Sequence, residues 1–188
     1  MVDGAPSMLH THRNATRTSR AMRPADLAGL YDYSCWANRR LLGVVAALTA
    51  DELTRTVTGS YGSVRNTLVH VLSAEWGWLE RCGGLARGAW LNAEDFPTLE
   101  SIAVVWTRVE AAMRALLAGI ADDALTERIE FSFGGPTRSV SSGEVLQHVV
   151  LHAVHHRGPV ALRLRELGHT PGDVDFLFYA AEPGDTAT

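Results

Sequence analysis

Residues 141–168, SSGEVLQHVVLHAVHHRGPVALRLRELG, decide the fold class of this chain. Ser141 and Glu144 fit a capping box, the serine-x-x-glutamate pattern that begins many helices. From there to Gly168, apolar side chains recur at the three- and four-residue spacing of one helix face, at Val145, Val149, Val160, Leu164 and Leu167. The stretch therefore predicts a long amphipathic helix, and it contains four of the eight histidines of the chain.

Three other stretches show the same helical period of apolar residues. The first covers residues 24–48 and opens on a proline, which is well tolerated in the first turn of a helix. The second covers 63–84, between an N-capping serine and a pair of glycines, and the third covers 98–119, between a threonine and a glycine. Residues 128–140 alternate polar and apolar side chains around a Gly-Gly pair and predict a small hairpin. The chain is therefore predicted to be all-α, an antiparallel four-helix bundle with a small hairpin insertion before the last helix.

The domain organisation follows from length and composition. With 188 residues, 46% hydrophobic and 20% charged, the chain has material for one domain with a sizeable core. Residues 1–22 contain arginine, histidine, serine and threonine but few large apolar groups, and residues 182–188 are similarly poor in them. We expect a flexible extension at 1–22, the bundle domain at 23–181 and a flexible tail at 182–188.

Charge and cysteine content exclude several classes of function. The formal net charge of -4 gives no support to a nucleic-acid partner, and because all 17 basic residues are arginines, a Schiff-base lysine is excluded. Cys35 and Cys82 cannot make a disulfide framework, which suits a reducing compartment. No apolar run approaches the ~20 residues that span a bilayer. We expect a cytoplasmic protein that acts on a small molecule, with no nucleic-acid and no membrane partner.

Four histidines within nine residues, His148, His152, His155 and His156, form the most distinctive motif of the chain. His152 and His156 are one helical turn apart, about 40° around the axis, and both face the apolar stripe. A divalent ion needs a third ligand, and His70 is the one remaining histidine in a predicted helix. Hydrogen-bonded core histidines are the alternative, for His70 above all. Three imidazoles would suit a transition metal, zinc first and nickel second.

Several segments of the chain resemble one family. Residues 33–42 (YSCWANRRLL), 62–70 (GSVRNTLVH) and 148–158 (HVVLHAVHHRG) are similar to the helices of the DinB/YfiT-like metalloenzymes. Residues 162–169 and 175–179 resemble the end of the family's last helix and its tail. The resemblance extends over most of the chain outside the two expected flexible ends.

The resemblance implies a four-helix bundle with a three-histidine metal site, on His70, His152 and His156 of this chain. It also implies a homodimer, since members of the family often form dimers. One departure stands beside the site: the family commonly has glutamine after His-Arg-Gly, whereas this chain has Pro159, which removes an amide side chain and a backbone donor. We expect a kink in the helix just after the metal site and altered contacts with the substrate.

The resemblance also implies a class of reaction. Family members include transferases and isomerases that use a low-molecular-weight thiol such as mycothiol or bacillithiol, with the metal holding the thiolate. The alternative is a metal-dependent hydrolase, with Glu75 as the candidate catalytic base because it falls near the apolar stripe of the second helix. Glu75 would otherwise form a buried hydrogen bond. A third option is a bundle that binds a metal or a ligand without catalysis.

Overall fold

The computed structural model describes residues 22–56, 61–85 and 88–182. The expected flexible extension and tail lie outside the described residues except for Met22 and Glu182, and both stay predictions. The described part contains six α-helices and one two-stranded antiparallel hairpin: α1 Pro24–Val45, α2 Ala50–Thr54, α3 Val64–Cys82, α4 Leu99–Gly119, β1 Arg128–Phe131, β2 Arg138–Ser141, α5 Ser142–Glu166 and α6 Phe176–Ala181. The four long helices and the hairpin before the last of them confirm the predicted all-α bundle.

Three of the long helices begin at the capping residues that the sequence predicts. The hydroxyl of Ser63 accepts a hydrogen bond from the backbone N–H of Asn66 at 3.0 Å and thereby satisfies one of the free donors of the first turn of α3. At α5, the Ser141 hydroxyl accepts from the Glu144 N–H at 3.2 Å, and the Glu144 carboxylate accepts from the Ser141 N–H at 2.8 Å. Thr98 caps α4 in the same way. These start signals are local, which is why they could be recognised in the sequence.

Two details differ from the expectations. The helix predicted to reach residue 48 ends at Val45, and the chain then forms α2, which Thr49 caps. The short helix α6 was not predicted either. Helices of five or six residues are marginal by themselves and depend on what they pack against, so their sequences carry little signal. The helix α5 continues through Pro159 to Glu166, and the expected kink after the metal site stays a prediction.

The four long helices form a ring in which α1 and α3 each pack against both α4 and α5. Their ion pairs give their directions. Asp32 of α1 pairs with Arg114 of α4, whereas Arg39, farther along α1, pairs with Glu110, so these two helices are antiparallel.

The helices α3 and α5 are antiparallel as well, because His70 contacts His152 whereas Trp78, farther along α3, contacts His148. By contrast, α1 and α5 run in the same direction. Arg23, directly before α1, and Gly143, in the first turn of α5, line one surface cavity. Farther along both helices, Asn38 of α1 contacts Arg157 of α5. It follows that α3 and α4, which are consecutive long helices, also run in the same direction. The predicted antiparallel arrangement therefore holds for α1 with α4 and for α3 with α5, but not for the other two packed pairs.

A long connection is needed between two consecutive helices that point the same way, because the chain must return over the length of the bundle. Residues 83–98 make this return alongside α3 where the structure describes them. The backbone N–H of Gly88 donates to the Glu80 carboxylate at 2.8 Å, and that of Leu91 donates to the Ser73 hydroxyl at 2.9 Å. We call the continuously described part, residues 88–98, the return segment. Its path places it beside His70 of α3.

The core consists of two clusters of buried apolar side chains, one toward each end of the bundle. Leu72, Ile102, Met113 and Leu164 are 0% exposed, and full burial of such a side chain stabilises the fold by roughly 1.5–3 kcal/mol. None of the helices in the described ranges has both the length and the hydropathy needed to cross a bilayer.

The helix α6 covers one face of α1. The rings of Phe176 and Tyr179 lie 5.3 Å and 5.8 Å from the ring of Tyr33, measured between centroids. Just after α6, the Glu182 carboxylate accepts hydrogen bonds from the indole of Trp36 at 2.8 Å and from Arg40 at 2.9 Å. The chain is thus attached to α1 up to the last described residue.

Candidate metal centre

The structure brings together the three histidines that the sequence selected. His70 lies on α3, and His152 and His156 lie one turn apart on the antiparallel α5. One ring nitrogen from each residue can be chosen so that all three atoms lie within 4.8 Å of one another. The Nε2 atoms of His70 and His152 are 3.1 Å apart. Two imidazoles from one helix and one from its neighbour thereby form a group that could hold a metal ion.

The three imidazoles are buried to different extents. His156 is 8% exposed, and its Nδ1 atom is buried without a hydrogen-bond partner in the described part of the chain. His70 and His152 are half-buried. A buried nitrogen that no protein group satisfies is costly, since its interaction with water has been lost without replacement. A buried ring without a described partner for its Nδ1, in contact with two further imidazoles, is more easily explained by a bound ion than by packing alone.

The surroundings of His152 and His156 favour the neutral forms of these two imidazoles. Burial first, and then the neighbouring histidines, lower the pKa of His152 to about 3. Burial also lowers the pKa of His156. Because an imidazole binds a metal only in its neutral form, His152 and His156 are in the ligating state near neutral pH.

The other two histidines of the motif lie at the edge of the site. His148 and His155 are exposed, and neither belongs to the group of three nitrogen atoms. Their rings contact the ligand histidines from outside, with centroids 5.4 Å apart for His148 and His152 and 4.8 Å apart for His155 and His156. The helical period predicts this edge position for both.

Two aromatic rings stack on His70. The ring of Tyr61 lies 3.8 Å from the imidazole with an interplanar angle of 17°, and that of Trp90 lies 5.9 Å away at 13°. Both are partly open to solvent, Tyr61 at 43% and Trp90 at 50% exposure. No sequence pattern singles out Tyr61 or Trp90. Their positions depend on loops that have no periodic pattern.

A buried arginine follows His156 directly. Arg157 is 5% exposed, and its Nη1 atom donates to Asn38 Oδ1 at 2.8 Å and to Ser34 Oγ at 3.1 Å. Its guanidinium also lies over the ring of Tyr33, 5.4 Å from the centroid. These contacts join α5 to α1 at the level of the three-histidine group, so they fix the orientation of the helix that carries two of these three histidines. The sequence offered a cue, since Asn38 and Arg157 both fall in the motifs that resemble the family.

Glu75, the candidate catalytic base, lies elsewhere. It is 4% exposed and accepts hydrogen bonds on both carboxylate oxygens, from the Tyr31 hydroxyl and from the Trp106 indole N–H at 3.2 Å. Burial raises its pKa to about 7, although these two hydrogen bonds act in the opposite direction. Glu75 therefore faces α1 and α4 rather than α5, and it does not belong to the three-histidine group.

Comparison with known proteins identifies the family of this chain. The DinB family model matches residues 19–185, which is nearly the whole sequence. This chain belongs to the DinB family. Among relatives in Bacillus subtilis (strain 168), Protein DinB is 24% identical over 157 residues, covering 80% of this chain and 91% of the relative. The uncharacterized protein YizA is 23% identical over 136 residues, covering 72% and 84%.

Solved structures show the same fold for this DinB-family chain. A DinB-like protein from Bacillus cereus has a TM-score of 0.62 at 21% identity, with 80% of this chain and 97% of that protein covered. The DinB-like protein YjoA from Bacillus subtilis has a TM-score of 0.54 at 19% identity, with 76% and 93% covered. At these identities the likeness concerns the bundle itself.

Proposed function

We propose that this DinB-family chain is an enzyme that binds a divalent transition metal at His70, His152 and His156 and uses it for thiol-dependent transfer or isomerisation. The observation that carries the proposal is the convergence of three ring nitrogens, from two antiparallel helices, to within 4.8 Å of one another. Three neutral imidazoles suit zinc first and nickel second, since magnesium and calcium prefer oxygen ligands.

The donor set fits such an ion. In a tetrahedral site with metal–nitrogen bonds of about 2.0–2.1 Å, the nitrogen atoms are roughly 3.3 Å apart. The Nε2 atoms of His70 and His152 are already 3.1 Å apart, and a ring nitrogen of His156 lies within 4.8 Å of a ring nitrogen of each. Three protein ligands leave one position open, which is the arrangement of catalytic rather than structural zinc sites.

The thiol would have to come from a cosubstrate. Cys35 is buried in the core, and burial raises the pKa of its thiol. Burial also raises the pKa of the Cys82 thiol to about 12. Neither cysteine belongs to the histidine group. A bound metal would supply Lewis acidity that favours the thiolate of a small thiol, whose proton would pass to solvent. The sulfur would then bond to an electrophilic carbon of the second substrate while the bond from that carbon to a halide or an epoxide oxygen breaks, and that group would leave with the electron pair.

The hydrolase alternative has less support. A general base must reach the water it deprotonates, and both oxygens of Glu75 are engaged by Tyr31 and Trp106 in the core. Among the described residues, neither Glu75 nor any other acidic side chain belongs to the three-histidine group. A bundle that binds a metal without catalysis is the remaining alternative, and the turnover experiment distinguishes it from an enzyme.

The first test is metal content. Untagged protein should contain about one equivalent of zinc or nickel by elemental mass spectrometry, and His152→Ala should lose it. His155→Ala is the matched control, because it removes an exposed imidazole from the same helix and should retain the metal. Absence of metal from the wild-type protein, even after reconstitution, would refute the site.

The second test is turnover. The metal-loaded protein is mixed with mycothiol, bacillithiol or another small thiol, and with a panel of electrophiles such as epoxides, activated halides and unsaturated acids. Consumption of thiol above the rate of His152→Ala supports the transferase assignment, and interconversion of an unsaturated acid without net loss of thiol supports the isomerase. A metal-loaded protein that does neither would point to the non-catalytic alternative.

A further inference from the structure

The helix α5 is apolar on its outer side as well as on the side that packs in the bundle. Leu151, Val154 and Leu162 are 65%, 42% and 58% exposed. Together with Gly158 they recur at three- and four-residue spacing and lie opposite the buried residues of the helix. We call these four residues the outer stripe. A helix that is apolar on both sides is expected to be covered on both sides.

No charged side chain interrupts the outer stripe. Between Glu144 and Arg163, Arg157 is the one arginine or acidic residue of α5, and it is buried against α1. A helix side that faces only water normally carries charged residues at several positions over such a length. The composition of this side is therefore that of a packed surface.

The short helix α6 extends the exposed apolar surface. Phe176, Leu177 and Phe178 are all exposed, Leu177 at 78%. The ring of Tyr33 lies between the two helices, with its centroid 5.3 Å from the ring of Phe176 and 5.4 Å from the guanidinium of Arg157. Of the twelve large apolar side chains exposed in the described part of the chain, six belong to α5 and α6. A concentration of this kind marks an interaction surface.

The two ends of the outer stripe carry opposite charges. Glu144 precedes the stripe and Arg165 follows it, and both are exposed on the same side of α5. Arg165 has no ion pair with another described residue, and the ion pair of Glu144 with Arg128 is 3.9 Å long. A second α5 that runs in the opposite direction would bring the arginine of each copy to the glutamate of the other. The surface is thus complementary to itself, as a two-fold dimer requires.

The sizes of the side chains fit the same register. When Glu144 lies opposite Arg165 of the partner subunit, Leu151 lies opposite Gly158 of the partner subunit, and symmetry repeats both contacts. A Cβ atom at Gly158 would meet nothing within 4 Å in the single chain. Glycine weakens the interior of a helix, and nothing in the single chain requires it at this position. The close approach of a partner helix supplies a reason for it.

We propose that the outer stripe and α6 form the interface of a homodimer in which the two α5 helices pack antiparallel across a two-fold axis. The axis passes close to Val154 and His155, so the partner covers the outer side of the helix that carries His152 and His156. The family resemblance implies a homodimer without giving it a surface, whereas this surface follows from what α5 and α6 leave exposed.

A membrane is the other occupant to consider for an exposed apolar surface. The residues beside α6 are acidic, namely Asp173, Asp175 and Glu182. Anionic lipids attract basic residues at such a position, so the charge favours a protein partner over a lipid surface.

The first test is the mass of the full chain in solution, by sedimentation equilibrium. The wild-type protein should be a dimer, and Leu151→Glu should weaken the dimer at least about a hundredfold, because it places an unpaired carboxylate in the interface. Val104→Glu is the matched control, since Val104 is 48% exposed on α4, and it should leave the dimer unchanged. A wild-type monomer at about 200 µM, where even a weak dimer would form, overturns the proposal, as does equal loss in the control. Binding of a monomer to vesicles of phosphatidylcholine and phosphatidylserine would assign the surface to a membrane instead.

A second variant separates the interface from the fold. Gly158→Leu has room for its side chain in the single chain and improves helix propensity, so circular dichroism and urea unfolding of the monomer should show a folded protein. In the dimer the new side chain occupies the place of Leu151 of the partner subunit, and we expect dimer affinity to fall at least about tenfold. Unchanged affinity would overturn the proposed register.

Crosslinking tests the direction of the two helices. In a Cys82→Ser background, which leaves the buried Cys35 as the one native cysteine, Val154→Cys should be linked between subunits by a short bismaleimide because it lies beside the axis. Leu162→Cys should not be linked, since its two copies lie about 22 Å apart along antiparallel helices. Linkage of both variants would mean parallel helices, and linkage of neither would mean a different interface, so each result overturns the proposal.

The dimer and the metal centre can fail separately. His152→Ala should lose the metal and remain a dimer, whereas Leu151→Glu should become a monomer and keep the metal content. A metal-binding wild-type monomer would refute the interface and leave the proposed function in place.

Discussion

Two groups of buried polar side chains, on different sides of α3, use their hydrogen bonds differently. Toward α1 and α4, both carboxylate oxygens of Glu75 accept hydrogen bonds, from Tyr31 and Trp106. Toward α5, the imidazoles of the metal centre converge, and the buried Nδ1 of His156 has no partner among the described residues. A buried polar group that has all its partners serves the fold, whereas a converging group that lacks them is prepared for a ligand. The predictions below test that distinction, from the largest effect to the smallest.

The largest expected effect is the stabilisation of the wild-type protein by metal. Zinc at about a thousand times its Kd should raise the free energy of unfolding by about 4 kcal/mol, and a chelator should reverse this, because the ion binds only the folded cluster. The measurement is urea unfolding followed by circular dichroism. His156→Ala should abolish the increment and His155→Ala should keep it. The same increment in His156→Ala would mean that the metal binds elsewhere.

The Glu75 cluster should respond to pH rather than to metal. The folded-state pKa of Glu75, about 7, lies above the ordinary 4.5, so the folded protein binds more protons than the unfolded chain between these values. Stability from this group is therefore lost as the pH rises from about 4.5 through 7, and the loss is complete above that. At about 1.4 kcal/mol per pH unit, the difference amounts to about 3 kcal/mol.

Glu75→Gln removes this titration and can keep both contacts, with its oxygen accepting from Trp106 and its amide donating to the Tyr31 hydroxyl. We expect the variant to gain stability relative to the wild type by about 3 kcal/mol between about pH 5 and pH 8, measured by chemical unfolding at each pH. Its metal content should not change. A pH-independent difference between the two proteins would show that the Glu75 carboxylate is not held as the structure places it.

An intermediate effect is expected where Arg157 joins α5 to α1. Asn38→Ala removes the Oδ1 acceptor at 2.8 Å from a buried guanidinium, and the lost charged hydrogen bond should cost about 2–3 kcal/mol of unfolding free energy. Because Arg157 follows His156, zinc affinity should fall as well, which a competition titration with a chromogenic chelator would detect. A stability loss with unchanged zinc affinity would show that the contact between Asn38 and Arg157 supports the packing of α5 but does not affect metal binding.

The smallest effect is expected at the start of α5. Ser141→Ala removes the hydroxyl that caps the helix and should cost about 1 kcal/mol in thermal or urea unfolding. His152 lies about three turns farther along, so the metal content should not change. Metal loss in Ser141→Ala would show that the site depends on the whole of α5 and not on the local contacts around it.

The sequence determined what depends on neighbours along the chain. Apolar period and capping residues predicted the four long helices, and the spacing of His152 and His156 placed both imidazoles on one face of α5. The hairpin before α5 was also predictable, because alternation and a glycine pair are local signals. His70 could be named since it was the one other histidine in a helical stretch.

The tertiary structure decided what depends on residues far apart in sequence. Only the packing of α3 against α5 brings the Nε2 atoms of His70 and His152 to 3.1 Å, and only the packing of α1 and α4 provides Glu75 with its two donors. The return segment sets Trp90 on His70, although nothing periodic marks its path. Helix period fixes which way a side chain points on its own helix. The partner that it meets is fixed by which helices pack together and in which direction they run.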